Sequence, residues 1–217
     1  MAKVISSSPR FSLVEREILR KSFSQVVQEN AAVIAGGIIG LILLSLGIFY
    51  WSYQKRLGLD ELRLGIRTLQ SGDASKAATQ LQHIGRSYLG STERALGLFY
   101  LGEAYVAQEQ AVNAVSAYDE ALTTSKDSKE KNPYLQQVIL FKLGQAAEQR
   151  GDVPQARQRY EQAGAVEGPL KTEAIAAAAR TAEKTNDLSA AAAYYEQLLA
   201  QSPDSPLVEV FQKRARK

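Results

Sequence analysis

The chain is 217 residues long, with a formal charge of +3, no cysteine and a single histidine. Without cysteine there is neither a disulfide scaffold nor a thiol nucleophile, and His83 has no cysteine or acidic ligand at metal spacing, so no metal centre is expected. The positive balance is not a nucleic-acid signature. Residues 58–212 hold 15 Lys and Arg against 20 Asp and Glu, and the basic excess falls in the N-terminal arm and in Lys213, Arg214, Arg216 and Lys217.

Residues 1–30 form an arm before the first long apolar run. Ser12 with Glu15 is a helix-start pattern, and Val14, Ile18, Leu19, Phe23, Val26 and Val27 make a loose apolar stripe among Arg16, Arg20 and Lys21. Two readings stand side by side: a basic helix on a membrane surface, or a helical extension or flexible arm. Ala31 to Trp51 then reads AAVIAGGIIGLILLSLGIFYW, 21 residues without a charge. At ~1.5 Å per residue this is roughly 31 Å of helix, the thickness of bilayer hydrocarbon. Phe49, Tyr50, Trp51 and Tyr53 close the run and Lys55 and Arg56 follow it, the order expected at a headgroup layer. A cleaved signal would end in small residues rather than in bulky aromatics and bases, so residues 31–51 are expected to be an uncleaved transmembrane anchor, crossing once. Ala32, Gly36 and Gly40 recur every four residues and offer a small ridge on which another membrane helix could pack.

Residues 52–212 carry one spacing four times. Gly65, Gly102, Gly144 and Ala179 are each followed 12 positions on by Ala77, Ala114, Ala156 or Ala191, then by Leu81, Tyr118, Tyr160 or Tyr195, then three later by Ile84, Ala121, Ala163 or Leu198. The starting positions lie 37, 42 and 35 residues apart, so length varies only in the connections. Small residues let the two helices of a hairpin cross closely, the bulky third column fills the wedge, and the fourth faces the next unit. Leu64, Leu101 and Leu143 precede the first column in three units. Ser71-Gly72-Asp73, Arg150-Gly151-Asp152 and Thr185-Asn186-Asp187 read as turns, with a left-handed exit and then an aspartate N-cap. Pro203 is placed to stop the last helix, residues 124–133 form the longest connection, and residues 213–217 are a basic tail. The expected fold is all-α: one N-terminal transmembrane helix, then a tetratricopeptide-repeat (TPR) type α-solenoid of about four helical hairpins.

Catalysis has no foothold in this pattern. Asp60-Glu61 and Asp119-Glu120 are sequence neighbours that diverge around a helix, and the Gly-Asp pairs at 72–73 and 151–152 lack the Gly-Lys-Ser or Gly-Lys-Thr of a phosphate loop. The chain is expected to be no enzyme, to need no cofactor or small-molecule substrate, and to bind protein. In stacked hairpins the first helix of each unit lines a groove. Counted from the first column, the expected groove residues are Leu62 and Ile66, then Phe99, Tyr100 and Glu103, then Phe141, Lys142 and Gln145, and last Arg180 and Lys184. The lysines and asparagines that clamp a terminal carboxylate in some TPR domains are not reproduced, since the asparagines are missing.

A short arm, one anchor ending in FYWSYQKR and repeats over the rest resemble the YfgM-like bacterial inner-membrane proteins, ancillary subunits of the SecYEG translocon. The resemblance implies a cytoplasmic arm, a periplasmic repeat domain, and the translocon, exported proteins or periplasmic chaperones as partners. A structural scaffold for an envelope assembly, in division or secretion and with a cytoplasmic array, is the alternative. Flanking charge leaves orientation open: Arg16, Arg20 and Lys21 precede the anchor closely, and Lys55, Arg56, Arg63 and Arg67 follow it.

Overall fold

The computed structural model describes residues 27–84, 89–129, 131–201 and 208–215, the side chains of 208, 211 and 215 excepted. The arm's helix start and most of its stripe lie outside these residues. Among the described residues the regular elements are all helices: α1 (Ala31–Gln70), α2 (Ala74–Leu81), α3 (Ser91–Ala107), α4 (Ala111–Lys126), α5 (Pro133–Gln149), α6 (Val153–Gly164), α7 (Lys171–Lys184), α8 (Leu188–Gln201) and α9 (Val208–Ala215). The chain divides into two compact units between Ser52 and Tyr53. In the first, every residue from Ala31 to Trp51 is exposed, and α1 is long and apolar enough to cross a membrane.

The second unit is a run of antiparallel hairpins, and its turns follow from a few residues. Gly72, Gly151 and Asn186 adopt φ of +91°, +78° and +58°, and the aspartate after each caps the next helix: Asp73 accepts from Lys76 N at 3.0 Å, Asp152 from Gln155 N at 3.2 Å and Asp187 from Ala190 N at 3.2 Å. The turn of the second hairpin has the same geometry without the same residues. Glu109 takes the left-handed position at φ +59°, and Gln110 precedes α4 without a side-chain cap. The backbone bond that closes the turn recurs in all four hairpins, from Asp73 N to Thr68 O, Gln110 N to Tyr105 O, Asp152 N to Ala147 O and Asp187 N to Ala182 O.

All sixteen column residues are buried. A Cβ added at Gly65 would lie 2.6 Å from Leu81, one at Gly144 2.5 Å from the Tyr160 ring, and one at Gly102 would overlap the Tyr118 ring. The first column is therefore small because the third column lies directly on it. The fourth column reaches the next unit as expected, for Ile84 fills the space over Gly97 of α3. One continuous cluster from Leu62 to Ala174 joins the first three units, and smaller clusters around Tyr160 and Tyr195 extend the core to the fourth. Buried Gln137 pins the α6–α7 connection by donating to Val166 O at 2.7 Å and Ala163 O at 3.2 Å and accepting from Leu170 N.

Leu64 is 52% exposed, unlike buried Leu101 and Leu143. Two expectations need correction. The connection expected at 124–133 is shorter, since α4 continues to Lys126 with Ser125 buried and its carbonyl accepting from Gln136. The basic tail is helical through Ala215: Lys213 and Arg214 end α9, which packs on α8.

Candidate functional site

The first helices α3, α5, α7 and α9 are tied to one another along one face by ion pairs. The pairs centre on Glu103, Glu148 and Glu183, and the first two of these carboxylates also take a tyrosine hydroxyl from the third column. Glu103 of α3 accepts from Tyr118 OH and from Lys142 Nζ of α5, the latter at 3.0 Å. Glu148 of α5 accepts from Tyr160 OH at 3.0 Å, from Arg180 of α7 at 2.9 Å and from Lys184 Nζ. Glu183 of α7 accepts from Arg214 of α9, whose guanidinium also lies 5.9 Å from the centre of the Tyr195 ring. Glu148 and Glu183 both stand four residues after their first-column residue, and Arg180 and Arg214 are 34 residues apart. Helix α9 thus takes the place of a first helix of a further unit.

The electrostatics give this ladder its direction. Burial, reinforced by the hydrogen bonds to Glu103 and Glu148, pushes the phenols of Tyr118 and Tyr160 well above their usual range, so both stay protonated and donate. Burial also works against ionisation of Glu148, yet the hydrogen bonds from Lys184, Arg180 and Tyr160 outweigh it and lower its pKa from 4.5 to about 2. Glu148 is a charged acceptor at neutral pH, filled from three sides.

Between α3, α5 and α7 the face opens into a cleft of about 370 Å³, lined by Glu103, Lys142, Gln145, Glu148, Gln149 and Arg180, with Val106, Ala146 and the Tyr118 and Tyr160 rings beneath. Four of the expected groove residues meet here: Glu103, Lys142, Gln145 and Arg180. Lys184 adjoins them through Glu148. Leu62 does not face the groove, being 4% exposed in the core cluster. The reason is its place three residues before the first column, the position that packs against the third-column residue. Phe99 and Phe141 hold the same position and are half-buried for the same reason, with ring centres 5.8 Å from Tyr118 and 5.4 Å from Tyr160. Tyr100 is half-buried edge-on to Phe99, and Ile66 packs partly on the core. In the other unit, Ala32, Gly36 and Gly40 are exposed, and a Cβ at either glycine meets nothing within 4 Å.

Sequence reasoning missed Glu148, Val106 and the two phenol hydroxyls. The signal was a column four residues after the first, holding Leu69, Val106, Glu148 and Glu183, none of which is among the expected groove residues. Among the described residues no group of three or more His, Asp or Glu is placed to hold a metal ion. Exposed His83 follows α2.

Comparison with known proteins bears on the repeats. Residues 141–206 match the tetratricopeptide repeat family. Among solved structures, the chain is similar to nearly identical TPR-like repeats of a kinesin-light-chain-type protein from Podosopora anserina, at TM-score 0.58 and 20% identity over 75% of this chain and 84% of that one. It is also similar to the Cut9–Hcn1 hetero-tetramer of the APC/C, at TM-score 0.56 and 21% identity over 74% of this chain and 30% of that one. A third is PilF of Pseudomonas aeruginosa, at TM-score 0.51 and 18% identity over 72% and 66%. Comparison with curated proteins gives no match. At these identities the likeness speaks to architecture: the repeat unit has a TPR-like α-solenoid fold, preceded by one apolar helix of membrane-spanning length.

Proposed function

We propose that the chain is a membrane-anchored protein-interaction module of the bacterial inner membrane, crossing once through residues 31–51 with the repeats in the periplasm. Its partners on this reading are the SecYEG translocon, exported proteins or their chaperones. The observation that carries the interaction is the cleft on the first-helix face, where Gln145 and Arg180 are exposed above an apolar floor of Val106, Ala146 and two tyrosine rings. A TPR-like solenoid offers such a face to an extended segment of another protein. Support for the anchor is the uncharged run of α1, in which every residue is exposed. The ridge at Ala32, Gly36 and Gly40 is the proposed contact for a neighbouring membrane helix.

Purification of the full chain in mild detergent tests the reading. The translocon or exported proteins should be recovered with it. Gln145→Trp, which adds bulk at an exposed cleft position, should reduce recovery at least several-fold while the melting temperature holds. Undiminished recovery, or recovery of division or secretion scaffolds instead, would contradict it.

A further inference from the structure

We infer that the cleft takes an extended peptide segment through an acidic side chain, which seats on Arg180 and Lys184. The inference rests on the groove reading above and names the chemistry of what the groove accepts. Four charged groups line the cleft and Lys184 adjoins them through Glu148, and their arrangement is unequal. Lys142 and Glu103 answer one another one to one. Arg180 and Lys184 share the single carboxylate of Glu148, which leaves one positive charge uncompensated. Their depths differ as well: the Glu148 side chain is 17% exposed, whereas Arg180 is 52% and Lys184 49% exposed. The negative charge is sunk below the surface and the two cations stand above it.

A guanidinium has five N–H donors and an ammonium three, so both retain donors for a second acceptor after serving Glu148. Gln145 and Gln149 add neutral amides to the lining and no competing anion. This cationic spot lies within an array whose residues 58–212 carry more Asp and Glu than Lys and Arg, so it is set against the local background. The complement is a carboxylate, held by charge-assisted hydrogen bonds, with an apolar neighbour in the segment resting on Val106, Ala146 and the tyrosine rings. A side-chain carboxylate is the source we assign. The cleft lies mid-face, with α9 continuing the ladder beyond α7, so a segment lying along the face passes through it rather than ending there.

The test uses the full chain in detergent and two randomised twelve-residue peptide libraries on phage, one inserted as a loop with neither end free and one with a free C-terminus. Loop peptides selected on the wild-type chain should be enriched in Asp and Glu. Changing that acid to its amide in a synthetic, end-blocked copy should weaken binding about tenfold, the loss of one charge-assisted contact. Combined Arg180→Gln and Lys184→Gln should abolish the preference, and Glu148→Gln, which removes the internal competitor, should tighten binding of the same acidic peptides several-fold. If neither library yields binders, the groove reading itself fails. Binders without acid preference, or a preference unchanged in the double variant, overturn the inference and leave the groove reading standing. Selection from the free-end library alone makes a terminal carboxylate the ligand and overturns the source assigned here. Should the double variant unfold, Glu148→Gln decides: unchanged affinity for the acidic peptides contradicts the inference.

Discussion

At the scale of single residues, the contact between first and third columns governs what can be changed. Glycine to alanine inside a helix ordinarily stabilises by about 1 kcal/mol. At Gly144 the added methyl would sit 2.5 Å from a fully buried Tyr160 ring, so overpacking reverses the sign. Gly144→Ala should lower stability by about 1–2 kcal/mol, read as a drop in the chemical-denaturation midpoint; a gain would contradict the packing described. Glu148 offers a second check. Its pKa is lowered on folding, so its contribution is fully present above 4.5 and is lost as pH falls toward about 2. The wild-type melting temperature should decline through that window, and Glu148→Gln should decline less. The column residues were legible in the sequence because burial leaves few choices of size. Glu148 was not, since an isolated glutamate on a helix reads as solvated surface until the helices bearing Tyr160, Arg180 and Lys184 are brought beside it.

At the scale of elements, turn chemistry decided how much could be read. Three hairpins announce themselves through Gly72, Gly151 and Asn186, each followed by aspartate. The second closes by the same backbone bond with glutamate in the left-handed region, where a side chain is disfavoured, and nothing in Gln108-Glu109-Gln110 signals a turn. Glu109→Gly should therefore stabilise the repeats by about 0.5–1 kcal/mol, measured by equilibrium unfolding; a loss would mean the strain at Glu109 is offset by contacts its side chain makes. Helix α9 shows the opposite case. Its basic residues read as a tail because only the neighbouring α8 and the carboxylate of Glu183 give Arg214 a structural role. Position along the helix points Phe99 and Phe141 to the groove, yet their rings lean on Tyr118 and Tyr160 and neither lines the cleft.

For the molecule as a whole, the function proposed above rests on the cleft of the first-helix face. Four buried columns hold the hairpins together, and the carboxylate ladder from Glu103 through Glu148 to Glu183 ties successive first helices along one face. The all-helical fold followed from periodicity, whereas the cleft followed from distances between units that no single helix encodes. The account's central claim is that proteins bind this face. Photocrosslinking in intact membranes tests it most directly, with a photoreactive residue placed at Gln145 in the cleft and, as control, at exposed Gln158 on α6. The account predicts discrete protein adducts from position 145 and none of the same species from 158. Equal adducts from both, or none from 145 while the chain remains folded and in the membrane, would contradict it.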